Sequence, residues 1–350
     1  MKKIVICKAD KGGSILIVPP ALIERKVEEK LHDESLYEKL PKDPSMELLD
    51  KLFLKWKQGV ALGFVSPNKA YKVAGVTIPD PENGVIGGNK STASRFRPGI
   101  PYFYPMLKIH KLTPEQLKPG WDPPARLVTA LKDGCCKRSD VFLAKKFFKD
   151  LERLYCGDLF KDTSSTLRWL DKINKNHSGN KKKMFKCFTF DFASLYDSLN
   201  PTLIMEALKH AIASIYDSWE EAQIGWVCDL VRLSIESSVG CYKGKRFRQR
   251  KGIATGGSIC VELANITVFY VLNKILYSEP DHMMKSVESL KRYVDDCTGI
   301  FVGNEREFRN WEAKVRKLLL EFGLSTDDFV MKSAGTVIHS HFWTNNLTLM

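Results

Sequence analysis

Residues 290–302 read LKRYVDDCTGIFV, and the two adjacent carboxylates inside this apolar stretch restrict the fold more than any other feature of the chain. Tyr293-Val294 and Thr298 to Val302 are β-prone runs on either side of Asp295 and Asp296. That is the pattern of a hairpin with both acids at its tight turn. Neighbouring carboxylates between buried strands repel each other and lose hydration unless something positive sits between them, and a divalent cation is the usual solution. A solvated Asp-Asp turn is the plainer reading of a lone pair. A third acid upstream favours the cation.

That acid is Asp191, within MFKCFTFDFASLYDSLNP. Phe188, Phe190 and Phe192 alternate with Thr189 and Asp191, so a strand here buries its aromatic face and turns the carboxylate the other way. Tyr196 follows five positions later, and Asn200-Pro201 opens a helix with apolar Leu203, Ala207, Leu208, Ala211, Ile212 and Ile215. Asp191 and Asp295 are 104 residues apart. They meet only if the fold lays a strand edge beside the hairpin turn.

Elsewhere the chain punctuates itself clearly. Residues 3–18 predict a hairpin with Lys8, Asp10 and Lys11 near its tip. Pro19-Pro20 introduces a helix to about Leu31, and a second covers about Met46 to Trp56. Residues 79–101 turn to Gly, Pro and small polar residues, a long loop. Within it Gly88-Asn89-Lys90-Ser91 lacks the glycine directly before lysine that a phosphate loop needs. Helices are expected over 138–155, about 163–176, and about Trp219 to Ser237. A basic polar break at Asn180 to Lys183 precedes the Asp191 strand, and a hairpin is expected over Val239 to Phe247.

Lys243, Lys245, Arg246, Arg248, Arg250 and Lys251 crowd nine positions, either a solvated ribbon or a grip on phosphates. Gly256-Gly257-Ser258 lets backbone approach a ligand, and the apolar helix after it should be buried to about Leu276. Asn304 with Glu307 forms a capping box ahead of Phe308, Trp311, Val315, Leu318, Leu319 and Phe322, ending at Gly323. Phe329 to Met331 and Thr336 to His339 read as strands. His339 and His341 alternate as metal ligands can, without a third ligand nearby.

With 350 residues, 44% of them hydrophobic, the chain can bury a large core in two lobes. A net charge of +13 points to an acidic partner, for which nucleic acid is the economical choice. Nine cysteines with no Cys-x-x-Cys pair read as reduced core residues of an intracellular protein, not as a zinc or disulfide framework. The first seven residues are too brief an apolar run for a signal peptide, and no segment has the length of a membrane helix.

The strand acid with a tyrosine five positions on resembles the first palm motif of reverse transcriptases, and Tyr293-Val294-Asp295-Asp296 resembles their Tyr-x-Asp-Asp motif. Between them QRKGIATGGS (Gln249 to Ser258), running on to Leu263-Ala264-Asn265, looks like the second palm motif. Thr255 stands where methionine is frequent, and Gly257-Ser258 replaces bulkier or proline-bearing forms. KADKGG (Lys8 to Gly13), LHDESLY (Leu31 to Tyr37), LKIHK (Leu107 to Lys111), Ala125-Arg126-Leu127-Val128 and Lys161-Asp162-Thr163 are similar, in the same order, to segments of the Penelope-like retroelement reverse transcriptases, a group allied to telomerase. The resemblance covers nearly all of residues 1 to about 303.

The resemblance implies an α+β right-hand polymerase fold of fingers and palm, the palm a ferredoxin-like antiparallel sheet packed on helices. Residues 1–183 would be fingers and 184–350 palm, with a helical and basic fingers-side insertion at about 216–251 and the thumb largely absent. It further implies RNA-directed DNA synthesis, with nucleotidyl transfer from a dNTP to a primer 3′-hydroxyl on an RNA template, acting in the nucleus without a membrane. Asp191, Asp295 and Asp296 would be catalytic and, with the Phe192 carbonyl, would hold two Mg²⁺ ions or Mn²⁺.

Tyr196, Lys108, Arg126, Gln249, Gly256 and Asn265 would bind the nucleotide. Tyr196 would lie beneath the sugar, where its ring leaves no room for a 2′-hydroxyl, and Arg126 and Lys108 would meet the triphosphate. The plainer alternative for Arg126 and for Lys108 is a surface charge, for Asn265 a core amide, and Lys332 reads as a turn lysine or a proton donor to pyrophosphate. The basic cluster 243–251 would hold nucleic acid. Two other readings of the same residues are an RNA-dependent RNA polymerase with this palm and a catalytically silent nucleic-acid-binding remnant. No stretch is long enough for a nuclease, ribonuclease H or integrase domain.

Overall fold

The computed structural model describes residues 4–11, 13–74, 78–80, 84–86, 99–113, 116, 120–177, 185–277, 286–327 and 329–333. The expected basic break at 180–183, the strand at 336–339, His339, His341 and most of the loop at 79–101 lie outside them, as does the side chain of Lys332.

In chain order the elements are strands β1 (Val5–Lys8) and β2 (Ile15–Val18), helix α1 (Pro20–Leu31), β3 (Tyr37–Leu40), helices α2 (Ser45–Ala61) and α3 (Pro67–Ala74), and the short strands β4 (Ile78–Asp80) and β5 (Gly84–Ile86). Next come β6 (Phe103–Leu107), β7 (Ala125–Thr129), α4 (Lys137–Leu143), a π-helical turn at Ala144–Phe148, α5 (Lys149–Tyr155), α6 (Thr163–His177), β8 (Phe185–Asp191), α7 (Leu195–Ser198), α8 (Pro201–Ile215) and α9 (Glu221–Glu236). Strands β9 (Val239–Tyr242) and β10 (Lys245–Gln249), helix α10 (Cys260–Tyr277), the hairpin β11 (Val287–Tyr293) and β12 (Asp296–Val302), helix α11 (Glu305–Glu321) and β13 (Val330–Ser333) complete the chain.

Two compact units result, one of Met1–Leu151 with Leu208–Leu263, the other of Glu152–Ala207 with Ala264–Met350. Within the second unit, residues 158–169 are tied to β11. Phe160 N–H donates to the Arg292 carbonyl at 2.8 Å, Arg292 N–H donates to the Asp158 carbonyl at 3.0 Å, and Trp169 Nε1 donates to Ser289 Oγ at 2.9 Å.

In the first unit the antiparallel pairs β1-β2 and β6-β7 accompany a three-stranded sheet in the order β3-β10-β9. The β9-β10 hairpin closes through Lys243-Gly244, both at positive φ (47° and 76°), the backbone a tight two-residue turn demands. Val27, Leu31, Tyr37, Phe103, Leu127 and Phe247 form one core of this unit. A second is aromatic, with Trp56 fully buried and edge-on to Trp226 at 5.5 Å.

The second unit is a four-stranded antiparallel sheet in the order β11-β12-β8-β13. Taken with α8 and α11, the chain order β8, α8, β11, β12, α11, β13 gives the β-α-β-β-α-β ferredoxin-like pattern. Phe188, Phe190 and Phe192 are all buried, as alternation along the strand predicts, and Phe190 stacks on Phe329 with ring centroids 4.2 Å apart. Helix α11 starts at the Asn304–Glu307 capping box and buries Phe308, Trp311, Val315 and Leu319. Phe188 packs on Phe308 and Trp311, so a strand patterned at period two and a helix patterned at 3.6 share one core. Glu312, buried on the same helix, accepts from Arg309 Nη1 and from the Phe329 N–H.

Candidate active site

β12 pairs with β8 in a register that sets Asp296 directly opposite Asp191. Directly opposed residues of an antiparallel pair project to the same face with Cβ atoms about 4.5–5.5 Å apart. On its other edge β12 pairs with β11, Asp296 opposite Tyr293, so the connection is the two residues Val294 and Asp295. The expectation of both acids at the turn is therefore half met: Asp295 is a central turn residue, and Asp296 is the first residue of the strand. A two-residue hairpin turn needs positive φ at its first central position to match the strand twist. Val294 supplies it, at φ 56°, a costly backbone for a β-branched residue.

The turn and the β8 end are joined through backbone. Phe192 N–H donates to the Asp295 carbonyl at 3.4 Å, and the Asp191 carbonyl accepts from Asp327 N–H at 2.9 Å. Asp191, Asp295 and Asp296 are each partly exposed at this end. Burial raises the Cys297 thiol well above its ordinary value; the Arg292 charge opposes that rise, and the Asp158, Asp191 and Asp296 charges add to it. Phe192 is buried, and Tyr196 lies on α7, partly exposed, two residues after the left-handed Ser194 (φ 50°).

Among the described residues no group of three or more His, Cys, Asp and Glu side chains is arrayed to enclose a metal ion. An opposed pair of carboxylates with a third at the adjacent turn nevertheless suits Mg²⁺ as a donor set. This ion takes one or two carboxylates and completes its shell from phosphate oxygens and water rather than from an all-protein cage.

The other expected residues fall in two places. Asn265 belongs to the second unit and is 4% exposed. Its amide donates to Glu152 Oε1, and its Oδ1 accepts from Arg292 Nη1 at 2.8 Å, so the side chain is a partnered core amide.

Lys108, Arg126, Gln249 and Gly256 belong to the first unit. Arg126 is a third exposed and lies 3.7 Å from Asp10, a carboxylate almost wholly buried under the β1-β2 turn. Lys108 follows β6, its N–H donating to the Pro124 carbonyl at 2.8 Å. Gln249 is buried, and its Nε2 donates to the Lys251 carbonyl at 2.9 Å. Gly256 holds φ 106° with the Thr129 carbonyl 3.0 Å from where a Cβ would stand, so only glycine fits. Beside it Tyr102, Tyr104, Thr129, Lys132 and Lys137 line a pocket of about 340 Å³.

The basic ribbon is less bare than its sequence suggests. Lys243 Nζ bonds Glu24 and Glu28 at 2.7 and 2.9 Å, Arg248 holds Glu38 through both Nε and Nη2 at 2.5 Å, and Arg246 lies 3.9 Å from Asp43. The two glutamates hold the Lys243 ammonium more basic than usual. Lys245, Arg250 and Lys251 are exposed.

Sequence reasoning missed Arg292. It is fully buried, donating from Nε to Asp158 Oδ2 at 2.6 Å, from Nη1 to the Val294 carbonyl at 3.1 Å, and from Nη2 to the Asn265 carbonyl at 2.6 Å. The available signal was a cation in a β-run immediately before the Tyr293 motif.

No protein-family model matches the chain, and no curated protein matches it. Among solved structures it is similar to telomerase from Candida albicans in complex with a fragment of telomeric RNA, with TM-score 0.60, 10% identity, and coverage of 95% of this chain and 51% of that one. It is also similar to apo telomerase from Candida tropicalis, with TM-score 0.55, 11% identity, and coverage of 95% and 52%. The chain thus spans about half the length of these neighbours. At this identity the likeness is one of fold: the chain has the fingers-and-palm fold of mixed helices and antiparallel sheet that the telomerase structures carry.

Proposed function

We propose that the protein is an RNA-directed DNA polymerase of the Penelope-like kind, transferring a nucleotide from a dNTP to a primer 3′-hydroxyl. The observation that carries the reading is the register of Asp296 against Asp191 beside the Val294-Asp295 turn, which gathers three carboxylates from two distant segments at one end of the sheet's central strands. The fold supports it, as does the RNA bound by one of the telomerases sharing that fold.

Opposed like charges are unfavourable in a sheet by several tenths of a kcal/mol or more, so this end is built to meet a cation. Asp191 and Asp295 would hold two Mg²⁺ ions with Asp296 assisting and the Phe192 carbonyl as a further oxygen. Held there, two such ions would supply a lowered pKa for the primer hydroxyl and neutralising charge for the triphosphate and the departing pyrophosphate. The chain's own part is positioning. The β8-β12 ladder fixes two of the acids on a rigid sheet, the turn aims the third, and Tyr196 on α7 presents a ring to the sugar, excluding a 2′-hydroxyl. Arg126 and Lys108 would meet the triphosphate, and the exposed Lys245, Arg250 and Lys251 the phosphates of the nucleic acid.

Primer extension on an RNA template with Mg²⁺ and dNTPs tests the reading. The wild-type chain should extend the primer, and Asp295→Asn, which keeps the shape and removes the charge, should slow extension by about 10³-fold or more. Extension with rNTPs alone would transfer the chain to the RNA polymerase class. No extension with either, alongside intact RNA binding, would mark a silent remnant.

A further inference from the structure

Among the described residues Arg292 is the largest charged side chain that is fully buried, and no step of the proposed chemistry uses it. Enclosing a guanidinium costs several kcal/mol unless its donors are all met, so a buried arginine reports what it holds in place. Here it holds three things within the second unit: the Asp158 carboxylate, both oxygens of Asn265, and the Val294 carbonyl.

The last contact has a mechanical consequence. A peptide unit is planar, so fixing the Val294 carbonyl fixes the plane between Val294 and Asp295 and with it the torsion entering Asp295. The next plane is fixed from the other side, where the Asp295 carbonyl accepts from Phe192 N–H, one residue past Asp191. Asp295 is thereby held at both peptide planes, by Arg292 before it and by the β8 end after it. The hold is needed because Val294 sits at φ 56°, a strained backbone for a β-branched residue, and an untethered turn would relax toward negative φ and swing the carboxylate away.

Asn265 and Glu152 brace the brace. The Asn265 amide donates to Glu152 Oε1 while its Oδ1 and backbone carbonyl accept from Arg292, so α10 and the end of α5 keep the guanidinium from rotating. Lysine cannot reproduce this, since its ammonium offers no planar fork with fixed directions.

We propose that Arg292 is a positioning residue which, braced by Asn265 and Asp158, locks the strained Val294-Asp295 turn and so sets the direction of the Asp295 carboxylate. The inference rests on the proposed polymerase reading for its effect on rate, but not for its effect on the turn.

The test compares wild type, Arg292→Lys, Val294→Gly and the double variant by two measurements. Hydrogen–deuterium exchange over residues 290–298 needs no activity. Arg292→Lys should speed exchange there while the α11 amides stay as protected as in wild type. Single-turnover incorporation per folded molecule should fall about tenfold or more in Arg292→Lys, with the KM for dNTP little changed, because a misaimed carboxylate damages the chemical step rather than binding. Glycine adopts positive φ without strain, so the Arg292→Lys penalty should be smaller in the Val294→Gly background, a non-additivity that a general loss of stability would not produce.

If Arg292→Lys fails to fold, Asp158→Asn is read in the same assays; it keeps an acceptor for Nε but removes the opposing charge, and the same changes should appear at smaller size. Unchanged exchange at the turn, or a rate penalty identical in the valine and glycine backgrounds, overturns the inference. A wild-type chain that extends no primer overturns the polymerase reading instead, and the exchange result then decides the inference alone.

Discussion

Asp191, Asp295 and Asp296 differ in what their surroundings ask of them, and Tyr196 differs from all three in being testable by sugar alone. If its ring screens the 2′ position, Tyr196→Ala should leave dNTP incorporation within a few-fold of wild type and raise rNTP incorporation by about tenfold or more. Competition between dNTP and rNTP on one primed RNA measures that ratio. An unchanged ratio would reduce Tyr196 to a structural ring on α7.

A second residue-scale prediction concerns stability. Asp140 is buried on α4, its Oδ2 accepting from Ser234 Oγ at 2.9 Å, and burial raises its carboxyl from the ordinary 3.8 to about 7, opposed by the Ser234 hydrogen bond and the Lys137 charge. Below the lower value both folded and unfolded chains keep the proton. Between the two the unfolded chain releases it while the folded chain retains it, so stability falls as pH rises and levels off above about 7. The whole drop is at most ~4 kcal/mol. Urea midpoints for Asp140→Asn should show a flatter dependence over this window than wild type, with the gap between them closing or reversing toward neutral pH.

At the scale of elements, the central strand β12 is where packing tolerates least. Gly299 faces Phe188 across the β8 ladder, and a Cβ there would stand 2.3 Å from the Phe188 ring and 3.0 Å from the Ser289 carbonyl. Gly299→Ala should cost about 1–3 kcal/mol, because Phe188 is itself hemmed in by Phe308 and Trp311 and cannot yield. Thermal or urea unfolding checks it, and a loss under half a kcal/mol would show that the aromatic layer shifts more freely than its packing implies.

The elements themselves were largely legible in the sequence. The aromatic alternation of β8, the capping box of α11, the Pro20 and Pro201 helix starts and the β9-β10 hairpin all follow from local periodicity and turn chemistry. Two features were not legible. Nothing local announces that Tyr37–Leu40 is the strand partner of β10, since that pairing lies about 210 residues away in sequence, where Glu38 meets Arg248. Nor does local pattern place Asp296 in the ladder rather than the turn, a matter of one residue of register.

For the molecule as a whole, the formal charge of +13 overstates what its basic ribbon offers to nucleic acid, because Lys243, Arg246 and Arg248 are matched by Glu24, Glu28, Asp43 and Glu38. Lys245 and Lys251 remain exposed. Replacing both with alanine should weaken RNA binding and lower the slope of log K against log salt by about 1.4–1.8, the value for two lost phosphate contacts. Arg248→Ala should change that slope little while loosening β3 from β10. Equilibrium binding across a salt series separates the two, and equal slopes for all three proteins would place the nucleic acid elsewhere.

Much of this protein was settled by its sequence alone: which segments are strands and helices, which faces are apolar, that three acids stand in settings that bury neighbours but not carboxylates, and that the chain is basic. These are short-range properties, written in the spacing of side chains along a known local geometry. What only the tertiary structure decided is where those acids go and what holds them. Pairing Asp191 with Asp296 depends on a ladder register closed across more than a hundred residues, and recruiting Arg292, Asp158 and Asn265 behind the turn depends on three segments meeting in a dry interior. A buried charge chooses its partners by enclosure, and enclosure exists only once the chain has folded.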